Sequence, residues 1–136
     1  MKVLLFGTFD ILHQGHENLF KQARKYGGEL IVCLARDATV RKIKKRPPFF
    51  KEKIRFLNLK KTGWVERIFL GDRKDYYRSL RKIKPDIICV GYDQKFFVAG
   101  LKAELEKLGL NTKIVRLEPF KPNQLKSSKM RLSHNL

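Results

Sequence analysis

The chain has 136 residues, a length suited to one domain, 1–136, built around one core. Apolar residues make up 43% of it, and no apolar run approaches the ~18 residues of a membrane-spanning helix, which argues against both disorder and a helical membrane protein. Lys and Arg number 31 against 13 Asp and Glu, a formal net charge of +18, and so much positive charge implies a polyanionic partner: a nucleotide, a phosphorylated substrate or nucleic acid.

Val3–Phe6 is an apolar run that predicts a buried first strand. It begins so soon after Met1 that no signal peptide is expected. Gly7-Thr8-Phe9-Asp10 then forms a turn, and Gln14–Tyr26 follows as an amphipathic helix with Leu19, Phe20, Ala23 and Tyr26 on its apolar side. His13 and His16 therefore fall where the helix starts. Unpaired backbone N–H groups and the macrodipole favour an anion at such a position. Residues three apart share a face of the first turn, so both rings can point at that anion. Two histidines on their own read as surface or satisfied core residues; the glycine turn before them favours the site. A zinc site fits poorly, because no Glu or Cys stands at a companion ligand spacing.

Leu30–Ala35 predicts the second strand. Behind it runs a basic loop, Arg36–Arg46, with five cations at Arg41, Lys42, Lys44, Lys45 and Arg46, closed by Pro47-Pro48. It reads either as a solvated surface or as a mobile phosphate clamp at a strand's carboxyl end. Phe49 and Phe50 beside it are the aromatics that do not fall at core spacing, and they suit stacking on a flavin or a base. Lys51–Lys61 predicts a helix, Val65–Leu70 a strand, Lys74–Ile83 a helix and Asp86–Val90 a buried strand. The loop Gly91-Tyr92-Asp93-Gln94 comes next, where Asp93 either caps the strand end as an Asx turn or binds a nucleotide. Val98–Leu108 is a helix stopped by Gly109, and Thr112–Leu117 is the fifth strand. Ser127-Ser128 would make a helix N-cap, which is also an anion site. Cys33 and Cys89 lie in apolar strands and read as buried thiols of a reducing compartment, with cytoplasm the expected location.

Strands rich in Val, Ile and Leu that alternate with helices predict an α/β fold with a five-stranded parallel sheet, and right-handed crossovers make it doubly wound. Ligands of such sheets bind at the carboxyl ends of the strands, which is where the segments above lie.

Gly7-Thr8-Phe9-Asp10 with His13-x-Gly15-His16 resembles the signature of the HxGH nucleotidyltransferases, in particular the cytidylyltransferase-like family. The resemblance runs from Val3 to about Arg131. It implies a Rossmann-like sheet with helices on both faces, and transfer of a nucleotidyl group to a phosphate ester with release of pyrophosphate. His13, His16 and Lys44 would then be catalytic. Gly7, Thr8, Phe9, His13, Gln14, Gly15, His16, Asp93, Ser127 and Ser128 would bind the nucleotide. Asp10, Lys42, Lys45 and Arg55 would serve the acceptor and its phosphate. Mg²⁺ would accompany the triphosphate, no protein metal site is implied, and a homodimer is expected from the resemblance. The phrase Lys84-Pro85-Asp86-Ile87-Ile88-Cys89-Val90-Gly91-Tyr92-Asp93-Gln94 is very similar to the archaeal type of FAD synthase, which points to ATP and FMN. The nearest rival uses CTP and glycerol-3-phosphate, and cytidylyltransferases of that kind tend to carry Gly-Asp-Asp-Trp at this place. Lys126 departs from the family, which commonly has a small hydroxyl residue or Cys there. A rival from another class is a non-catalytic nucleic-acid-binding protein, supported by the charge and opposed by the intact His-x-Gly-His.

Overall fold

The computed structural model describes residues 1–75, 77–91 and 95–119, with side chains described at all of these except 95–98. Asp93, Ser127 and Ser128 lie outside the described residues. The elements in chain order are β1 (Lys2–Gly7), α1 (Gln14–Arg24), β2 (Glu29–Leu34), α2 (Asp37–Lys44), α3 (Glu52–Thr62), β3 (Arg67–Leu70), α4 (Arg78–Ile83), β4 (Ile87–Val90), α5 (Lys95–Leu108) and β5 (Lys113–Arg116).

The strands form one parallel sheet in the order β3-β2-β1-β4-β5. Side chains alternate across it, because successive Cβ atoms of a strand point to opposite faces. Val3 and Leu5 join Leu30 and Val32 on one face, covered by Phe20 and Ala23 of α1 and Leu59 of α3. Leu4 joins Ile31, Cys33, Ile88 and Val90 on the other, covered by Leu80 of α4 and by Leu101 and Leu105 of α5. The expected doubly wound α/β sheet with helices on both faces is the one found. Each such buried aliphatic side chain contributes about 1.5–3 kcal/mol. Half-exposed ion pairs such as Arg24–Glu66 and Arg67–Glu29 add at most about 1 kcal/mol each, so burial decides the fold. Cys33 and Cys89 are free thiols within the sheet, and burial pushes both up to about 12.

Two expectations are corrected. The basic segment after β2 is not a loop: Asp37–Lys44 is helical. Asp37 sits in its first turn and Arg41, Lys42 and Lys44 in its last, the charge order that complements a helix dipole. Val40 supplies the buried contact, and the helix stops at Lys45, which takes the left-handed conformation (φ 60°) just before two prolines. The fourth helix begins at Arg78 rather than Lys74, because the Asp72 carboxylate accepts the N–H groups of Lys74 and Asp75 and holds them in a turn.

The chain winds from β1 to β2 and β3 on one side, then crosses to β4 on the other. The winding reverses between β1 and β4, and the crevice that such a reversal opens lies at the carboxyl end of β1.

Candidate active site

Gly7 ends β1, and the chain then makes a tight turn in which Phe9 has φ 46°, a left-handed conformation uncommon for a side chain of that size. The turn tucks the Phe9 ring back into the core, 7% exposed, with its centroid 5.2 Å from that of Phe20. A Cβ at Gly7 would lie 2.6 Å from the Phe9 ring, so only glycine lets the ring fold back beneath the strand end.

His13 is the N-cap of α1. Its Nδ1 accepts the N–H of Gly15 at 3.0 Å, and the His16 Nδ1 accepts the N–H of His13 at 3.3 Å. The two imidazoles therefore cap the helix reciprocally, in the manner of a capping box. An Nδ1 that accepts is unprotonated, so the proton of each neutral ring sits on Nε2. The rings are 4.2 Å apart, and His16 also meets the edge of Phe9 at 5.4 Å. Burial lowers the His16 pKa to about 4, assisted by the positive charge His13 can carry and by Lys44. At neutral pH His16 is an uncharged ring whose proton sits on Nε2. Lys44, at the end of α2, lies close enough for its charge to act on His16, whose ring stands beside that of His13.

Two residues expected to bind the acceptor are otherwise engaged. Arg55 is fully buried, and its guanidinium is committed within the protein: Nε donates to the Phe50 carbonyl at 3.0 Å, Nη1 to the Thr8 carbonyl at 2.9 Å and Nη2 to Asp37 at 2.8 Å. It ties three segments together and does not face a ligand. The Asp10 carboxylate accepts the N–H groups of Phe49 and Phe50 at 2.6 and 2.8 Å, so it holds that turn in place. Lys42 and Lys45 are exposed at the end of α2, and Gln14 and Gly15 form the first turn of α1.

The network around Arg55 was not foreseen. Arg36 donates to the Gly71 carbonyl and to Glu52, whose other oxygen accepts the N–H of Asp37. Against the burial that would raise it, the Asp37 carboxyl is held below the usual carboxylate range by hydrogen bonds to Arg55 and the backbone near Glu52. A signal was present: Asp37 and Glu52 are the only acids between Arg36 and Thr62, a stretch otherwise crowded with cations. No cluster of three or more His, Cys, Asp or Glu suited to a metal ion occurs among the described residues.

This arrangement offers neutral and cationic nitrogen donors at a helix N-terminus, a setting for a phosphate group and for charge that builds on it. Residues 4–132 match the profile of a family described as cytidylyltransferase-like. The chain is 39% identical to the FAD synthase of Aciduliprofundum boonei over 129 residues, 95% of this chain and 86% of that protein. It is 45% identical to the FAD synthase of Methanohalophilus mahii over 123 residues, 90% and 84% of the two chains. A crystal structure from Thermoplasma volcanium, described as a lipopolysaccharide core biosynthesis protein, superposes with a TM-score of 0.83 at 40% identity, covering 89% of this chain and 98% of that one. A pantoate-beta-alanine ligase from Francisella tularensis shares the fold at 17% identity, with a TM-score of 0.62 over 90% of this chain and 60% of that one.

Proposed function

The chain belongs to the cytidylyltransferase-like family, and from that premise we propose that it is an FMN adenylyltransferase, making FAD from ATP and FMN. The observation that carries this reading is identity of 39–45% to FAD synthases over most of both chains. A phosphate oxygen of FMN forms the new bond to the α-phosphorus of ATP. The bond from that phosphorus to the bridging oxygen of the β-phosphate breaks, and pyrophosphate leaves with the electron pair.

The attacking phosphate is already a nucleophile, so the protein has to place two anions and offset their charge. His13 and His16 donate from Nε2 to oxygens on the α-phosphorus. Their Nδ1 atoms are occupied by the helix cap, which fixes both tautomers before substrate arrives. Lys44 supplies a full positive charge beside them, and Lys42 and Lys45 draw the acceptor phosphate. The magnesium ion enters as part of the MgATP substrate. It would supply positive charge that offsets the triphosphate, while the histidines and lysines named above would meet the remaining phosphate oxygens.

The test is a screen of ATP and CTP against FMN and glycerol-3-phosphate that follows pyrophosphate and product. FAD from ATP and FMN, with CTP a poor donor, is the expected result. Rapid formation of CDP-glycerol without FAD would replace the substrates and leave the transferase class standing.

A further inference from the structure

Phe49 is 73% exposed, an unusual position for a large aromatic ring, and the protein spends several interactions on holding it there. The Asp10 carboxylate grips the N–H groups of Phe49 and Phe50 together, and Arg55 bonds the Phe50 carbonyl and the Thr8 carbonyl with one guanidinium. The aromatic pair is thus clamped to the turn that leads into His13 and His16. Pro47 and Pro48 restrict the backbone on the other side. The Phe50 ring stands perpendicular to that of Phe49, at 88° and 4.7 Å between centroids, and supports it edge to face. None of this buries Phe49. It is an outward-facing ring on a rigid mount, a short stretch of chain away from the cations that end α2.

A ligand matched to this surface carries a flat, apolar ring system at one end and a phosphate at the other. We propose that Phe49 is the platform on which the isoalloxazine ring of FMN stacks, and that Asp10 is a positioning residue that sets the platform's orientation. This rests on FMN being the acceptor. Adenine is flat as well, but the isoalloxazine tricycle is larger and less polar, and a wide exposed phenyl face rewards it more. A fixed mount also avoids the entropy of ordering a loop as the substrate binds.

The experiment compares Phe49→Ala, Phe49→Trp and Asp10→Asn with the wild-type full chain, each first shown to be folded by circular dichroism and thermal melting. FAD formation gives KM for FMN and for ATP separately, and quenching of flavin fluorescence gives FMN binding without turnover. Phe49→Ala is expected to raise the KM for FMN about tenfold and weaken quenching, leaving the KM for ATP and the kcat at saturating FMN near wild type. Phe49→Trp should restore both, and Asp10→Asn should raise the KM for FMN while sparing that for ATP. A Phe49→Ala variant with unchanged FMN KM and quenching, or with a raised ATP KM alone, overturns the platform and leaves FAD synthesis standing. A wild-type chain that makes no FAD, yet binds FMN with quenching that Phe49→Ala abolishes, overturns the activity and supports the platform.

Discussion

Arg55 and Thr8 lie far apart in sequence, yet the buried guanidinium of one donates to the backbone carbonyl of the other at 2.9 Å. The turn that positions the histidines is therefore fastened from inside the protein. Asp37 and Phe50 share the same guanidinium, so the turn after β1, α2 and the segment before α3 converge on a single side chain.

Arg55→Ala should destabilise the protein by about 3–5 kcal/mol, since removing one partner leaves the others buried and unpaired. Arg55→Lys should recover little of this, because an ammonium cannot reproduce the planar fork that meets three acceptors. Urea unfolding measures both. The Asp37 carboxyl should also rise toward the ordinary carboxylate range. In the wild type its lowered pKa adds stability that is present above the unfolded-state pKa and fades as pH falls through the folded-state value, and this acid-side dependence should flatten in the variant.

His16→Ala should keep the fold and lower turnover by ~10²-fold or more, the loss expected for a donor to transition-state charge. Near wild-type turnover would remove His16 from the mechanism.

His16 also predicts a pH effect. The folded protein holds its pKa at about 4, below the usual 6.5, so between these values the unfolded chain binds a proton that the folded chain does not. Stability should therefore fall as pH is lowered from about 6.5 to about 4. His16→Gln removes this component, and urea midpoints at pH 7 and pH 5 should draw closer together than in the wild type.

Lys44→Ala should raise the KM for MgATP or FMN, while stability stays within about 0.5 kcal/mol of wild type, because the side chain is exposed at a helix end. The His16 pKa should move upward when this neighbouring charge is lost, which NMR titration of the imidazole reads directly. Unchanged kinetic constants would make Lys44 part of the general basic surface.

Oligonucleotides should bind without sequence preference at Kd values of ~10⁻⁴–10⁻⁶ M in physiological salt, weakening steeply as salt rises. The net charge of +18 attracts any polyanion. Tight, sequence-selective binding that survives high salt, in a protein without transferase activity, would favour the nucleic-acid class instead.

The parts of the site legible in sequence are those built from neighbours. An apolar strand, a glycine turn and two histidines three apart all act within one strand-to-helix junction, so their pattern carries their geometry. Lys44 was legible as a charge near a strand end, but the helix beneath it was obscured, since Val40 is the one buried apolar residue among many cations. The roles of Asp10 and Arg55 were not legible, because each is set by partners from distant segments. The resemblance assigned both to a ligand, whereas the structure shows Asp10 accepting two backbone N–H groups and the buried Arg55 donating to backbone carbonyls. The depressed pKa of His16 is of the same kind: it depends on enclosure and on Lys44 arriving from another element.

The place of β1 in the middle of the sheet bears on how the enzyme is assembled in time. Val3 pairs with Leu30 on one side and with Ile87 on the other, so one pairing closes a short loop of chain and the other a long one. The short closure costs less entropy and is the natural early event, while the distant pairing waits for much more chain to be ordered. The histidine junction grows from the strand that both events share. Recovery of catalysis during refolding should accordingly lag behind the first appearance of sheet and coincide with docking of β4.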